Sequence, residues 1–121
     1  MIATMMMVHK GLRVAEDLAK MGISVEVVDP RTLVPLDKET LVTSVKKTGR
    51  VVVASEDART GGVAAEIATI IMEEAFDYLD APVRRVSALD VPIPYAPVLE
   101  STVVPQERHI REAVLEIADQ K

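Results

Sequence analysis

Residues 50–55 (RVVVAS) constrain the fold more than any other part of the chain. Valine repeats three times and alanine follows, so neither face of such a strand is left polar. A strand of this kind is buried on both sides, as in parallel sheets covered by helices. The flanking segments supply those helices. Val8, Leu12, Ala15, Leu18 and Ala19 recur at helical spacing, and Gly22 stands where a glycine stops a helix. Residues 23–29 (ISVEVVD) read as a strand followed by Pro30. Asp37 offers an N-cap to a short helix carrying Leu41, Val42 and Val45, which Gly49 closes. After the valine run a polar loop, EDART, leads into Gly61-Gly62 and the longest helix. There Val63, Ile67, Ile70, Ile71 and Ala75 face the core. Residues 83–87 (VRRVS) are the third strand. Pro92, Pro94, Pro97 and Pro105 bracket a tract that suits neither a central strand nor a helix. Ile110, Val114 and Ile117 define a last amphipathic helix ending near Lys121.

Alternation of this kind builds βαβ units, with right-handed crossovers placing helices on both faces of a parallel sheet. The expected fold is therefore a single α/β domain over residues 1–121, a parallel sheet with helices on its faces. One irregularity stands out. Only residues 1–5 (MIATM) precede the first helix, fewer than a buried strand normally has. The first strand reads as truncated, and the chain as a fragment of a longer subunit.

Composition removes several functions. Fourteen Lys and Arg stand against 19 Asp and Glu, a net charge of −5, which lacks the basic stripe of a nucleic-acid binder. With no cysteine there is no disulfide, thiolate metal site or Cys nucleophile. The opening apolar run ends at His9 and Lys10, too short for a membrane span. A cytoplasmic protein is the expectation. Phe76, Tyr78 and Tyr95 are the only aromatics, which argues against a self-contained ligand pocket.

Several ordered blocks resemble one family. They are the stretch from Met7 (MVHKGLRVAEDLAKMGISVEVVDPRTLVPLDKETLVTSVKKTGRVVVASE), then TGGVAAEIA, then residues 74–90 (EAFDYLDAPVRRVSALD) with PIPYAP behind. Together they are similar to the C-terminal domain of the β subunit of thiamine-diphosphate-dependent 2-oxo acid dehydrogenases, a domain shared with transketolase. VDPRTLVPLD and ATMMMVH lean toward the pyruvate and acetoin types. The resemblance implies a three-layer α/β/α unit with a mixed five-strand sheet and one antiparallel edge. In it two strands precede or overlap the start of this chain, and MIATM is the tail of a central strand. It also implies that thiamine diphosphate and Mg²⁺ belong to other parts of the full enzyme. The chain has no GDG motif and no asparagine. This domain alone is therefore expected to bind no cofactor and to be inactive. Its implied partners are an α subunit, a second β subunit and the subunit-binding domain of the acyltransferase core, with assembly as its work.

Two groups of residues are candidate sites. Glu73, Glu74, Asp77 and Asp80 surround Phe76 and Tyr78 and suit a basic docking partner, or else a plainly solvated helix end. At the carboxyl edge of the sheet, where α/β folds bind ligands, stand Asp29, Arg31, Glu56, Gly61 and Gly62. Asp29 and Arg31 suit a loop-anchoring pair. Glu56, with Asp57 beside it, suits acid–base or Mg²⁺ work, and Gly61-Gly62 suits either an anion at a helix start or a tight turn. His9 opens toward the same edge, whereas His109 reads as part of a solvated helix face. Met5, Met6 and Met7 suit either ordinary core filling or, as the resemblance implies, an adaptable contact with a preceding domain. The readings from other classes are a stand-alone ligand-binding or enzymatic α/β domain using that edge, and a transketolase-like split subunit.

Overall fold

The computed structural model describes residues 1–119. Its order is β1 (Ile2–Ala3), α1 (Met6–Ala19), α2 (Lys38–Thr48), β2 (Val52–Ala58), α3 (Val63–Ala75), a 3₁₀ turn (Phe76–Tyr78), β3 (Arg84–Ala88), α4 (Pro97–Val103) and α5 (Glu107–Ala118). The three strands form one parallel sheet in the order β1-β2-β3.

Side-chain alternation along the sheet divides the interior into two cores. Ala3, Val52, Ala54 and Val86 pack with Met7, Val14 and Leu18 of α1 and Ile110, Val114 and Ile117 of α5. The intervening residues Ile2, Val51 and Val53 pack with Leu41 and Val45 of α2 and Ala64, Ile67 and Ile71 of α3. This is the three-layer α/β/α arrangement implied by the resemblance, with helices on both faces of the sheet as expected from the valine run. Val52 and Val53 are both about 1% exposed or less, on opposite faces of one strand.

Helix ends follow local chemistry. The Asp37 carboxylate accepts the Thr40 amide at 3.0 Å, and Gly49 ends α2 in the left-handed region at φ 67°. α5 begins with a capping box in which His109 Nδ1 accepts the Gln106 amide at 2.9 Å. His109 is therefore a half-buried capping residue rather than part of a solvated face. α5 is described to Ala118, and the expected end near Lys121 lies outside the described residues.

Three expectations are corrected. Residues 23–29 run beside β1 but make one parallel bridge, Ile2 to Val28, with Ala3 donating to Val28 O at 3.0 Å and Val28 to Met1 O at 2.8 Å. The facing backbone is Met1 to Ala3, and a ladder extends no further than its partner. β2 begins at Val52 and continues through Glu56 and Asp57 to Ala58, after an irregularity beyond Ala54. Its polar half is still strand because Ala58 pairs with Ala88. Third, the proline tract contains α4, with Pro97 in the first turn, where a missing N–H costs nothing. Among the described residues the sheet has three parallel strands, of the five the resemblance implies for the whole domain. No described helix is long and apolar enough to cross a membrane.

Candidate functional site

Parallel strands deliver their carboxyl ends to one side, and the chain makes a cleft of about 970 Å³ there. Thr4 and Met5 leave β1, Asp29 to Arg31 follow the Val28 bridge, and Glu56 and Asp57 lie in the second half of β2. Gly61, Gly62 and Val63 close the cleft at the start of α3, and His9 of α1 lines it as well. All five carboxyl-edge residues expected from the sequence, Asp29, Arg31, Glu56, Gly61 and Gly62, therefore share one cleft.

Most of the polar groups in the cleft serve the backbone. Asp29 Oδ1 accepts the Arg31 amide at 2.9 Å, and Oδ2 accepts Arg31 Nη1 at 3.1 Å. The Arg31 amide, above all, holds the Asp29 carboxyl below its ordinary range, with the guanidinium assisting. This is the loop anchor expected of the pair. Glu56 Oε2 faces the Met6 amide at 3.4 Å, at the start of α1. Asp57 Oδ2 accepts the Val63 amide and so occupies the first turn of α3 with the chain's own carboxylate. Gly62 has no room for a side chain, since a Cβ there would stand 1.9 Å from Asp57 Oδ2 and 2.1 Å from Ala58 O. The turn-and-packing role of the glycine pair is what this geometry supports.

Two non-glycine residues in the cleft hold positive φ, Met5 at 52° and Arg31 at 63°. Strain at such positions persists only where surroundings enforce it. Met5, Met6 and Leu33 line the cleft and are exposed, so this part of its rim is apolar.

The second group lies across the molecule, at the far end of α3. Glu73 and Asp80 line a groove of about 840 Å³ with Met72, Phe76 and Leu79. Glu74 and Asp77 are exposed but stand outside it. Phe76 is 62% exposed and Tyr78 49%, and Lys46 Nζ sits 4.8 Å from the Tyr78 ring centroid. Sequence reasoning missed a third constellation, in which Thr60 donates its amide and hydroxyl to Asp90 at 2.8 and 2.7 Å. No local pattern signals a contact across thirty residues.

Among the described residues no three His, Asp or Glu side chains gather as a metal-binding group. At the start of α3 the Val63 amide, a donor an anion could use, is already bonded to Asp57.

The transketolase C-terminal domain model matches residues 1–110. The chain is 52% identical over 96 residues to the pyruvate dehydrogenase E1 component subunit beta of Rickettsia conorii, covering 79% of this chain and 29% of that one. It is 48% identical over 102 residues to the mitochondrial E1 subunit beta of Dictyostelium discoideum, covering 84% and 29%. With the mitochondrial subunit beta-1 of Arabidopsis thaliana it shares 48% over 107 residues, covering 88% and 30%. It thus spans about 30% of the length of these curated relatives. Among solved structures, a chain described as "Split gene transketolase, inactive beta4 tetramer" superposes with TM-score 0.82 at 32% identity, covering 99% of this chain and 38% of that one. Sequence and fold agree, and the chain belongs to the transketolase C-terminal domain family.

Proposed function

We propose that this chain serves as the C-terminal domain of the β subunit of a 2-oxo acid dehydrogenase, of the pyruvate type, and that its work is assembly. The mixed surface at the end of α3 carries this reading. Exposed Phe76 and Tyr78 stand among Glu73, Glu74, Asp77 and Asp80, which offers an apolar anchor inside an acidic field. Anchors of this kind supply affinity, and complementary charge selects the partner and speeds encounter. The partners proposed are an α subunit, a second β subunit and the basic subunit-binding domain of an acyltransferase. Thiamine diphosphate and Mg²⁺ are assigned to the remainder of the enzyme, and the chain alone is proposed to be inactive.

The test uses the full β subunit assembled with its α subunit. Glu73→Lys and Asp77→Lys reverse the charge and leave Asp80, whose amide bonds Gly49 O at 2.8 Å, undisturbed. Binding to the acyltransferase domain is expected to fall by roughly tenfold, with a weaker dependence on salt. Unchanged binding refutes the docking role.

The second reading is a small-molecule site at the carboxyl edge. It is favoured by the 970 Å³ cleft that joins Asp29, Arg31 and Glu56 beneath a partly apolar rim, with two strained residues in its wall.

A further inference from the structure

β3 pairs only with β2, so among the described residues its outer side has no partner strand. Arg84 donates to Val51 O at 3.0 Å, which turns the Arg84 and Val86 backbone groups inward. In a parallel ladder the groups of the alternate residues, Arg85 and Ser87, then point outward. Arg59 reaches that edge. Its Nη1 donates to the Arg85 carbonyl at 3.2 Å, and Arg85 Nη1 returns a bond to the Arg59 carbonyl at 3.0 Å. Among the described residues neither arginine makes an ion pair.

Two grooves flank the edge on opposite faces of the sheet. On the α3 side, about 840 Å³ is lined mainly by apolar groups, Met72, Phe76 and Val83 among them. On the α5 side, about 340 Å³ is lined by Arg59, Arg85, Thr102 and Glu112, and by Glu116, whose carboxylate is paired with Arg84. A strand added to an edge sends successive side chains to opposite faces. The apolar groove therefore selects apolar residues at every second position. A second copy of β3 does not suit this edge, because two-fold pairing would converge Arg59 and Arg85 from both chains.

We propose that the outer edge of β3 docks, by strand addition, an extended segment of a partner chain in which apolar residues alternate with acidic ones. The acidic residues draw the Arg59 guanidinium off the Arg85 carbonyl into a stronger, charge-assisted bond, and this opens the edge. Arg59 meanwhile shields the edge from indiscriminate pairing, as charges on edge strands do. This docking shares the α3-side groove and Phe76 with the acidic surface proposed above, but rests on the open edge and its arginines, which that reading does not use.

The probe is a synthetic peptide of about ten residues alternating Val and Glu, long enough to span β3. Its control replaces every Glu with Lys. Added in excess to the full chain, the Val–Glu peptide is expected to slow amide exchange at Arg85 and Ser87. The expected preference over the Val–Lys peptide is roughly tenfold. Ser87→Pro removes one outward amide and leaves the backbone ladder to β2, but it also removes the Ser87 hydroxyl contact with Ser55 at 3.3 Å, so its thermal melt reports folding. Loss of peptide binding in folded Ser87→Pro supports the proposal. Unslowed exchange at Arg85 and Ser87, equal binding of the two peptides, or full binding by Ser87→Pro overturns it.

Discussion

At Gly62 the backbone alone dictates the residue. An added Cβ meets Asp57 Oδ2 and the Ala58 carbonyl, and only the carboxylate can yield. If it yields, the Val63 amide loses its acceptor. Gly62→Ala is therefore expected to cost about 1–3 kcal/mol by overpacking, measured by urea denaturation. Gly61 poses a different problem, since nothing lies within 4 Å of its Cβ position but φ is 71°. Gly61→Ala should cost about 1–2 kcal/mol, and Gly61→Asn less, because asparagine tolerates the left-handed region. Relief by asparagine at 61 but not at 62 separates strain from crowding. Wild-type stability in Gly62→Ala would remove the crowding account.

Among the elements, α2 and α5 differ in how their starts are held, and the difference can be measured. Asp37 caps α2 through its own carboxylate, whereas α5 relies on His109 accepting the Gln106 amide. His109→Ala is expected to cost about 1 kcal/mol, and His109→Gln, which retains an acceptor at that position, to recover part of it. Equal melting temperatures for the two variants would exclude the capping role. These elements also mark how far the sequence alone reaches. Asp37 and Gly49 delimit α2 legibly because a cap and a left-handed stop act within a few residues. Residues 23–29 carry the pattern of a strand, yet pairing depends on the backbone opposite, which local pattern does not encode. Pro97 reads as a breaker until its place in a first turn is known. The cleft was legible because parallel strands must bring Asp29, Glu56 and Gly61 to one edge. What Asp57 bonds, and that Thr60 meets Asp90, depends on loop paths no periodicity encodes.

Across the whole molecule, the loops are held by carboxylates, and this sets its response to acid. The Arg31 amide chiefly depresses the Asp29 carboxyl, the Thr40 hydroxyl that of Asp37, and the Thr60 amide that of Asp90. A folded-state pKa below the unfolded value means that the unfolded chain binds protons first as pH falls. The stabilisation is therefore complete above the unfolded value of about 4. It is lost as pH drops further, through the folded-state values. Burial lowers the Met1 amino group to about 6, so urea midpoints for the wild-type chain should fall gently from about pH 8 to 5 on that account and decline again below about pH 4. The triple variant Asp29→Asn, Asp37→Asn, Asp90→Asn should begin lower at neutral pH and fall less steeply in acid. Asparagine keeps an acceptor for each amide but binds no proton in this range. Asp17 and Glu26, depressed by their lysine partners Lys20 and Lys47, remain in both proteins and leave a residual slope. Parallel acid limbs for the two proteins would mean that these three loop anchors do not govern acid stability.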